Sequence, residues 1–257
     1  MHLPLIRKHR ATIDNLKSVS DMDDIFLLRY CLEYDSESEM KEKLESNLKW
    51  RSENKAICEG AAAAIEAAQS GGSWDNSAVR DAAPHASTIN QYITPSQICT
   101  TTSSTGDLVY CVRAAKIDDK ALMSKVSVEE MTEFFVYCRE VLNVVAAQRS
   151  LATDKLVKVV TANDLAGVGL KGDADFRKAL SAGSKQANEL YPSLNGPTLL
   201  LNLPRLLGAL AKLFTPLFPK AVQKKLKFEQ GPLKDMINLD DVLSAGEYKS
   251  TNIFCIR

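Results

Sequence analysis

The first 70 residues place apolar side chains three and four positions apart, with charged residues between them. Such spacing gives a helix one apolar face, so it predicts that this segment is helical. The apolar positions of two successive helices are Ile25, Leu28 and Leu32, then Met40, Leu44, Leu48 and Trp50. An alanine-rich helix over 61–68 follows, and the Ser-Gly-Gly-Ser turn at 70–73 ends it. We therefore predict an all-helical subdomain over residues 1–72 and a second domain over residues 73–257.

From residue 108 onwards, short apolar or β-branched runs alternate with helical patterns. The predicted strands are 108–117, 156–161 and 198–201, and the predicted helices between them are 131–149 and 175–190. Strands that alternate with helices favour a parallel sheet with crossover helices. The predicted fold class is therefore α/β, with a mostly parallel sheet flanked by helices beside the N-terminal helical subdomain. Residues 74–100 read as a polar connection with one short helix.

The stretch after the third strand combines an apolar helix with a basic segment. The apolar positions of the helix are Leu203, Leu206, Leu207, Leu210, Leu213, Phe214 and Leu217. Pro216 and Pro219 end it, and a short lysine-rich helix with its own apolar side is predicted over 220–228. A segment that is both cationic and apolar can lie on a membrane surface, act as a mobile cover, or cap a core. The spacing alone leaves these three roles open.

Composition excludes several classes of protein. Of the 257 residues, 45% are hydrophobic and 25% are charged, as in an ordinary globular domain. Lys plus Arg and Asp plus Glu each number 32, so no global positive field attracts nucleic acid. Six dispersed cysteines form no CxxC pair, which indicates reduced thiols and a cytoplasmic protein. Neither a signal peptide nor a membrane-spanning apolar run is predicted, so any membrane contact should be peripheral and transient.

The sequence offers little for catalysis. Gly167, Gly169 and Gly172 formally match the GxGxxG pattern of dinucleotide-binding loops. Asp173 and Asp175 follow directly and would repel a phosphate, so we interpret the glycines as turn residues. The three histidines have no second metal ligand at a useful spacing, and no catalytic serine or cysteine signature occurs. We therefore predict no catalytic residue, no metal and no cofactor, and we favour binding over catalysis.

The region after residue 190 resembles the CRAL-TRIO lipid-binding family, and the match needs no gap. The matching positions are the Tyr-Pro-Ser run at 191–193, Gly196, the strand at 199–201, Asn-Leu-Pro at 202–204, Pro-Leu-Phe at 216–218 and the basic segment at 220–228. The order of the N-terminal helices is also similar to the helical subdomain of this family. The resemblance implies a lipid cavity walled by the sheet and the leucine-rich helix, with the basic segment as a gate helix.

The resemblance also implies which residues contact the ligand. Tyr110 and Thr161 match a phosphatidylcholine site in which Val159 replaces a serine, and Lys225 matches a gate lysine that holds an inositol phosphate. Ser193 replaces the glutamate that accompanies this lysine, so phosphoinositide recognition is only partly matched. Structural interpretations stay open for each residue, since Tyr110 can simply pack and Lys225 can be solvated. The predicted ligand-binding residues are Tyr110, Val112, Val159, Thr161, Leu201, Leu206, Leu210, Phe214, Leu217, Phe218, Val222, Lys225, Leu226 and Phe228.

The resulting interpretation is a cytoplasmic, monomeric lipid carrier that is not an enzyme and that exchanges its ligand at membranes through the gate helix. A phospholipid is the leading ligand, and an isoprenoid such as a sterol, tocopherol, retinoid or carotenoid is the second. A ligand-free interaction scaffold and a nucleotide-dependent enzyme are two further classes. Lipid bound to the purified protein would separate the carrier from the scaffold, and saturable NAD or ATP binding would identify the enzyme. No nucleic-acid partner is predicted.

Overall fold

The N-terminal part of the chain is helical, as predicted. The computed structural model describes residues 4–71, 74–103, 106–153, 155–165, 172–201 and 226–227. The first five helices are α1 (Pro4–Lys8), α2 (Arg10–Leu16), α3 (Asp24–Glu33), α4 (Glu37–Glu53) and α5 (Lys55–Gln69). The side chains of Asp23 and Ser36 accept backbone hydrogen bonds at the starts of α3 and α4, which satisfies amide groups that a helix start leaves without partners. In the described part of the chain, no helix is both long and apolar enough to cross a membrane.

The rest of the described chain forms one mixed sheet with its connecting helices. In chain order the elements are α6 (Asn76–Asp81), α7 (Ala86–Ile89), β1 (Ile98–Thr102), β2 (Leu108–Arg113), a 3₁₀ turn (Ala114–Lys116), α8 (Asp119–Met123), α9 (Val128–Ala152), β3 (Val159–Asp164), α10 (Ala174–Leu190), β4 (Asn195–Leu201) and β5 (Leu226–Lys227). The strand order is β1-β2-β3-β4-β5, with β1 antiparallel to β2 and every other neighbouring pair parallel. The predicted α/β class with a mostly parallel sheet is confirmed.

The predicted connection and the bounds of the predicted strands differ from the structure, and β4 begins at Asn195 rather than at residue 198. The connection predicted over 74–100 contains two helices and the start of β1, whose three threonines made it look polar although β-branched threonine suits a strand. The strand predicted over 108–117 ends at Arg113, because a 3₁₀ turn follows. The strand predicted over 156–161 begins three residues later, at Val159.

The prediction of a helix over 220–228 is wrong near its C-terminal end. Leu226–Lys227 form strand β5, which pairs in parallel with β4. The free edge of β4 offers backbone donors and acceptors there, and pairing with them satisfies groups that would otherwise need other partners. The rest of the predicted segment lies outside the described residues.

The two faces of the sheet belong to different apolar clusters. Leu108, Tyr110, Val112 and Val159 lie in the large cluster that includes α9, α10 and α5. Successive side chains of a strand point to opposite faces, so the residues between them lie on the other side. These form a second cluster made of Cys99, Val109, Cys111, Ala162, Leu199 and Leu201. We call the first side the helix-facing side of the sheet, because α9 and α10 pack there.

Two arginines, the buried Arg29 and the half-buried Arg51, attach the N-terminal helices to the α/β part. The Arg29 guanidinium of α3 donates to the carbonyl oxygens of Val157 (2.8 Å) and Ser193 (3.0 Å). Arg51 of α4 donates to both carboxylate oxygens of Glu140 in the middle of α9, at 2.5 and 3.1 Å. Because α5 packs into the large cluster, the apolar core continues across the start of the second domain predicted from the sequence.

Candidate ligand-binding site

Hydroxyl side chains form a row across the helix-facing side of the sheet. Thr100 of β1 pairs in register with Tyr110 of β2, Tyr110 with Thr161 of β3, and Thr161 with Thr198 of β4. Register partners in a sheet point to the same face, so these four polar residues cross a surface that is otherwise apolar. Leu226 of β5 is the next register partner, beside Thr198. We call these four side chains the hydroxyl row.

The guanidinium of Arg139, from the middle of α9, lies over this row. Its central carbon is 4.9 Å from the centre of the Tyr110 ring, a cation–π distance, and its Nη2 donates to the Thr161 hydroxyl at 3.3 Å. Its Nη1 atom is buried and has no hydrogen-bond partner among the described residues. Burial lowers the pKa of Arg139, and the nearby Tyr110 partly opposes this effect. Arginine stays protonated under ordinary conditions, so the row faces a positive charge.

The structure brings four of the predicted ligand residues together. Tyr110 and Thr161 are register partners, and Val112 and Val159 lie two positions away along the same two strands, on the same side. Leu201 is not with them, because it lies in the cluster on the opposite side of the sheet. The remaining predicted residues, apart from the backbone of Leu226, lie outside the described part of the chain: Leu206, Leu210, Phe214, Leu217, Phe218, Val222, Lys225 and Phe228.

Sequence reasoning missed Arg139 and Thr100. The signal for Arg139 is its position in an apolar helix, four residues after Phe135 and three before Leu142, both of which are buried. A charge at such a position needs a partner or a function. Thr100 is fully buried, and its hydroxyl has no hydrogen-bond partner among the described residues. The sequence does not single out Thr100, because its burial depends on strand β1, which lies in a segment predicted as a polar connection.

The Tyr-Pro-Ser run forms a turn that is already engaged by the protein's own charges. Ser193 has a positive φ of 51°, and its backbone N–H donates to the Glu33 carboxylate at 3.0 Å. Its carbonyl oxygen accepts from Arg29 and from Lys158, which also donates to the Ser193 hydroxyl at 2.8 Å. Burial lowers the pKa of Arg29 to about 10. The described cations at this turn therefore bind backbone and side-chain oxygens of the protein itself.

The glycine-rich loop has acidic residues where a phosphate would bind. The Asp173 side chain caps α10 by accepting from the backbone amides of Asp175 and Phe176, and the Asp173 amide donates to Asp119 at 2.7 Å. A helix start occupied in this way by carboxylates repels a phosphate, which agrees with our interpretation of the glycines as turn residues. Residues 166–171 of the loop lie outside the described residues. Within the described ranges, no three His, Cys, Asp or Glu side chains form a group that could hold a metal ion.

One small cavity lies away from the hydroxyl row, between α3 and α9. Its volume is about 140 Å³, below the several hundred Å³ of a typical ligand pocket. None of its lining residues belongs to the predicted ligand set: Met22, Asp23, Phe26, Arg29, Arg51, Asn143, Val144, Ala147, Gln148 and Leu151. We assign the candidate site to the hydroxyl row, because four of the predicted ligand residues meet there.

Comparison with known proteins agrees with this architecture. The family model of the CRAL/TRIO domain matches residues 88–245, more than half of the chain. Among 23 matching chains of solved structures is one titled "Crystal structure of Sfh5", with a TM-score of 0.51 and 16% sequence identity. That match covers 79% of this chain and 63% of the Sfh5 chain, so this chain spans less than two thirds of that protein. No curated protein matches the chain significantly. On the evidence of its fold and of the family match, the chain belongs to the CRAL/TRIO domain family.

Proposed function

We propose that this protein encloses a lipid on the helix-facing side of its sheet and exchanges it at membranes. Membership of a family of lipid-binding proteins is the observation that carries the proposal. The geometry supports it, because the row of Thr100, Tyr110, Thr161 and Thr198 places polar groups beside the apolar Val112 and Val159. An amphiphilic ligand needs this combination of a few polar groups within an apolar surface.

The physical reason for enclosure is the cost of exposing acyl chains to water. Each buried methylene is worth about 0.8 kcal/mol, so the two chains of a phospholipid together contribute roughly 20 kcal/mol or more. A carrier must therefore cover the chains completely and must also open to release them. We propose that the leucine-rich helix and residues 220–225 provide this cover, and that the lysines there engage anionic headgroups at about 1 kcal/mol per charge.

A phospholipid is the leading ligand class, and an isoprenoid remains the second. We further propose that the protein acts as a monomer in the cytoplasm and contacts membranes transiently, with residues 1–72 as a helical subdomain. Lipid extracted from the purified protein and identified by mass spectrometry tests the proposal. Recovery of one lipid class at near-stoichiometric amount is expected. No lipid above background, together with no uptake from liposomes, would favour a scaffold role and contradict the proposal.

A paired substitution tests the proposed cover. Replacing Phe218 and Val222 with aspartate should abolish lipid transfer between vesicles, because a charged cover can neither close over apolar chains nor enter a bilayer. The change should leave the circular dichroism spectrum unaltered. Leu151→Asp, at an exposed leucine of α9, is the matched control and should transfer lipid normally. Unchanged transfer by the Phe218/Val222 variant would refute the proposal that these residues form the cover.

A further inference from the structure

We propose that Arg139 selects ligands with an oxyanion headgroup, such as a phosphate or a carboxylate, and disfavours quaternary ammonium headgroups. This inference deepens the proposed lipid-carrier function and depends on it. It rests on the place of Arg139 over the hydroxyl row, with one guanidinium nitrogen bonded to Thr161 and the other without a partner.

The described residues leave the charge of Arg139 without a counterion. In the described chain no Asp or Glu carboxylate forms an ion pair with Arg139, and the groups that act on its charge are Tyr110, Cys138 and Tyr191. The adjacent Glu140 could have served, but both of its carboxylate oxygens accept from Arg51. The Arg139 residue as a whole is half-buried, but its Nη1 nitrogen is buried without a partner among the described residues. An unsatisfied charged donor of this kind is costly unless a ligand completes the pair.

The shape of the Arg139 guanidinium suits an oxyanion. A guanidinium presents a planar fork of N–H groups that matches carboxylate and phosphate oxygens, and such charge-assisted bonds are about twice as strong as neutral ones. Nη1 is the guanidinium nitrogen of Arg139 that is buried without a hydrogen-bond partner among the described residues. The Thr100 hydroxyl, on the strand beside Tyr110, is also buried without a partner there. An oxyanion bound to Nη1 would satisfy this donor, which a purely apolar ligand cannot do.

The Tyr110 ring is already in contact with a cation. A quaternary ammonium binds proteins chiefly through the faces of aromatic rings. Here the Arg139 guanidinium already lies 4.9 Å from the ring centre of Tyr110. A second cation on this ring would meet like charge in a buried environment, where repulsion is strong. The resemblance of Tyr110 and Thr161 to a phosphatidylcholine site therefore does not imply choline binding in this chain.

The test uses the full-length protein and measures lipid uptake from phosphatidylcholine vesicles doped with phosphatidic acid, oleic acid or diacylglycerol. Wild-type protein should take up the oxyanion lipids preferentially, and the two acids separate a phosphate from a carboxylate ligand. Arg139→Met should reduce uptake of the preferred acid by about 10- to 100-fold, the size expected for losing a charged hydrogen bond. Arg139→Lys keeps the charge but loses the planar set of N–H donors, so its uptake of the preferred acid should lie between those of the wild type and Arg139→Met.

A stability measurement separates recognition from a structural role. Arg139→Met removes an uncompensated charge, so the lipid-free variant should melt no lower than the lipid-free wild type. Arg149→Met is the matched control, because Arg149 also extends from α9 to a strand threonine, donating to Thr102 at 2.8 Å. It should lose stability and keep the headgroup preference.

The outcomes distinguish this inference from the function on which it rests. Absence of uptake for every lipid refutes the carrier function and with it the role of Arg139. Uptake without preference for an oxyanion, or equal preference in wild type and both Arg139 variants, overturns the inference alone. A fall in melting temperature of Arg139→Met with unchanged selectivity would also overturn it, since Arg139 would then serve packing.

Discussion

The ion pair between Arg51 and Glu140 should be a main connection between the N-terminal helices and the α/β part of the chain. The Glu140 side chain is 1% exposed and that of Arg51 is 17% exposed. Two hydrogen bonds join them, one from each terminal guanidinium nitrogen to a different carboxylate oxygen, as in a bidentate arginine–carboxylate pair. Although burial opposes it, the hydrogen bond from Arg51 to Glu140 raises the pKa of Arg51.

Removal of one partner leaves the other charge buried and alone. We expect Glu140→Leu, and separately Arg51→Met, to lower the free energy of unfolding by about 3–5 kcal/mol. In a chain of this size about 1 kcal/mol corresponds to roughly 2–4 °C, so the melting temperature should fall by about 6–20 °C. The double variant removes both charges and should lie within about 2 kcal/mol of the wild type, because a well-packed apolar pair replaces an ion pair at little cost.

Urea unfolding of the four proteins, followed by circular dichroism, completes a double-mutant cycle. The exposed pair of Lys49 and Glu53, with its 3.9 Å separation, supplies the control. Glu53→Gln should not shift the midpoint of the urea unfolding transition. If each single variant cost less than about 1 kcal/mol, or if the double variant lost the sum of the two singles, the pair would not couple the two parts of the chain.

Two further predictions concern stability. Gly183→Ala should destabilise the protein by about 1–3 kcal/mol in urea unfolding, because the new methyl carbon would lie 2.9 Å from an atom of α9. Gly60→Ala in α5, where no atom lies near the new methyl group, should instead stabilise the protein by about 0.5–1 kcal/mol. Equal effects at the two sites would contradict the close approach of α9 and α10. Burial opposes ionisation of Asp24, but hydrogen bonds from Lys17 and Arg10 outweigh it and hold the pKa of this carboxyl below its ordinary value. The contribution of Asp24 to the free energy of unfolding should be present at neutral pH, above the unfolded-state pKa, and should disappear as the pH falls through the folded-state pKa. Asp24→Asn should therefore make the free energy of unfolding depend less on pH in the acid range. An unaltered pH dependence would refute this prediction.

The sequence predicted the order and type of most elements because they depend on local patterns. Helix α9 shows why boundaries were less well predicted. Its predicted start at residue 131 is three residues late, because the reciprocal capping box of Ser127 and Glu130 extends the helix to Val128. Strand β1 was missed since Thr100 looks polar in sequence and becomes buried only through its neighbours in the sheet.

The candidate site was predicted less completely, because its polar groups meet only through tertiary packing. Tyr110 and Thr161 were predicted from a resemblance, and their register pairing follows from adjacent parallel strands. Arg139 reaches them from a helix whose rotation about its axis the sequence does not specify to the needed precision. The contact of Glu33 with the Ser193 amide joins positions 160 residues apart, and no local pattern signals it.

We propose that lipid occupies the helix-facing side of the sheet, at the hydroxyl row. A phosphatidic acid with a photoactivatable diazirine near its glycerol backbone tests this directly, when loaded into the full-length protein, irradiated and mapped by tandem mass spectrometry. We predict adducts at or next to Tyr110 and Thr161. Adducts confined to the opposite side, at Val109, Ala162 or Leu199, or the absence of any adduct above an unloaded control, would contradict the claim.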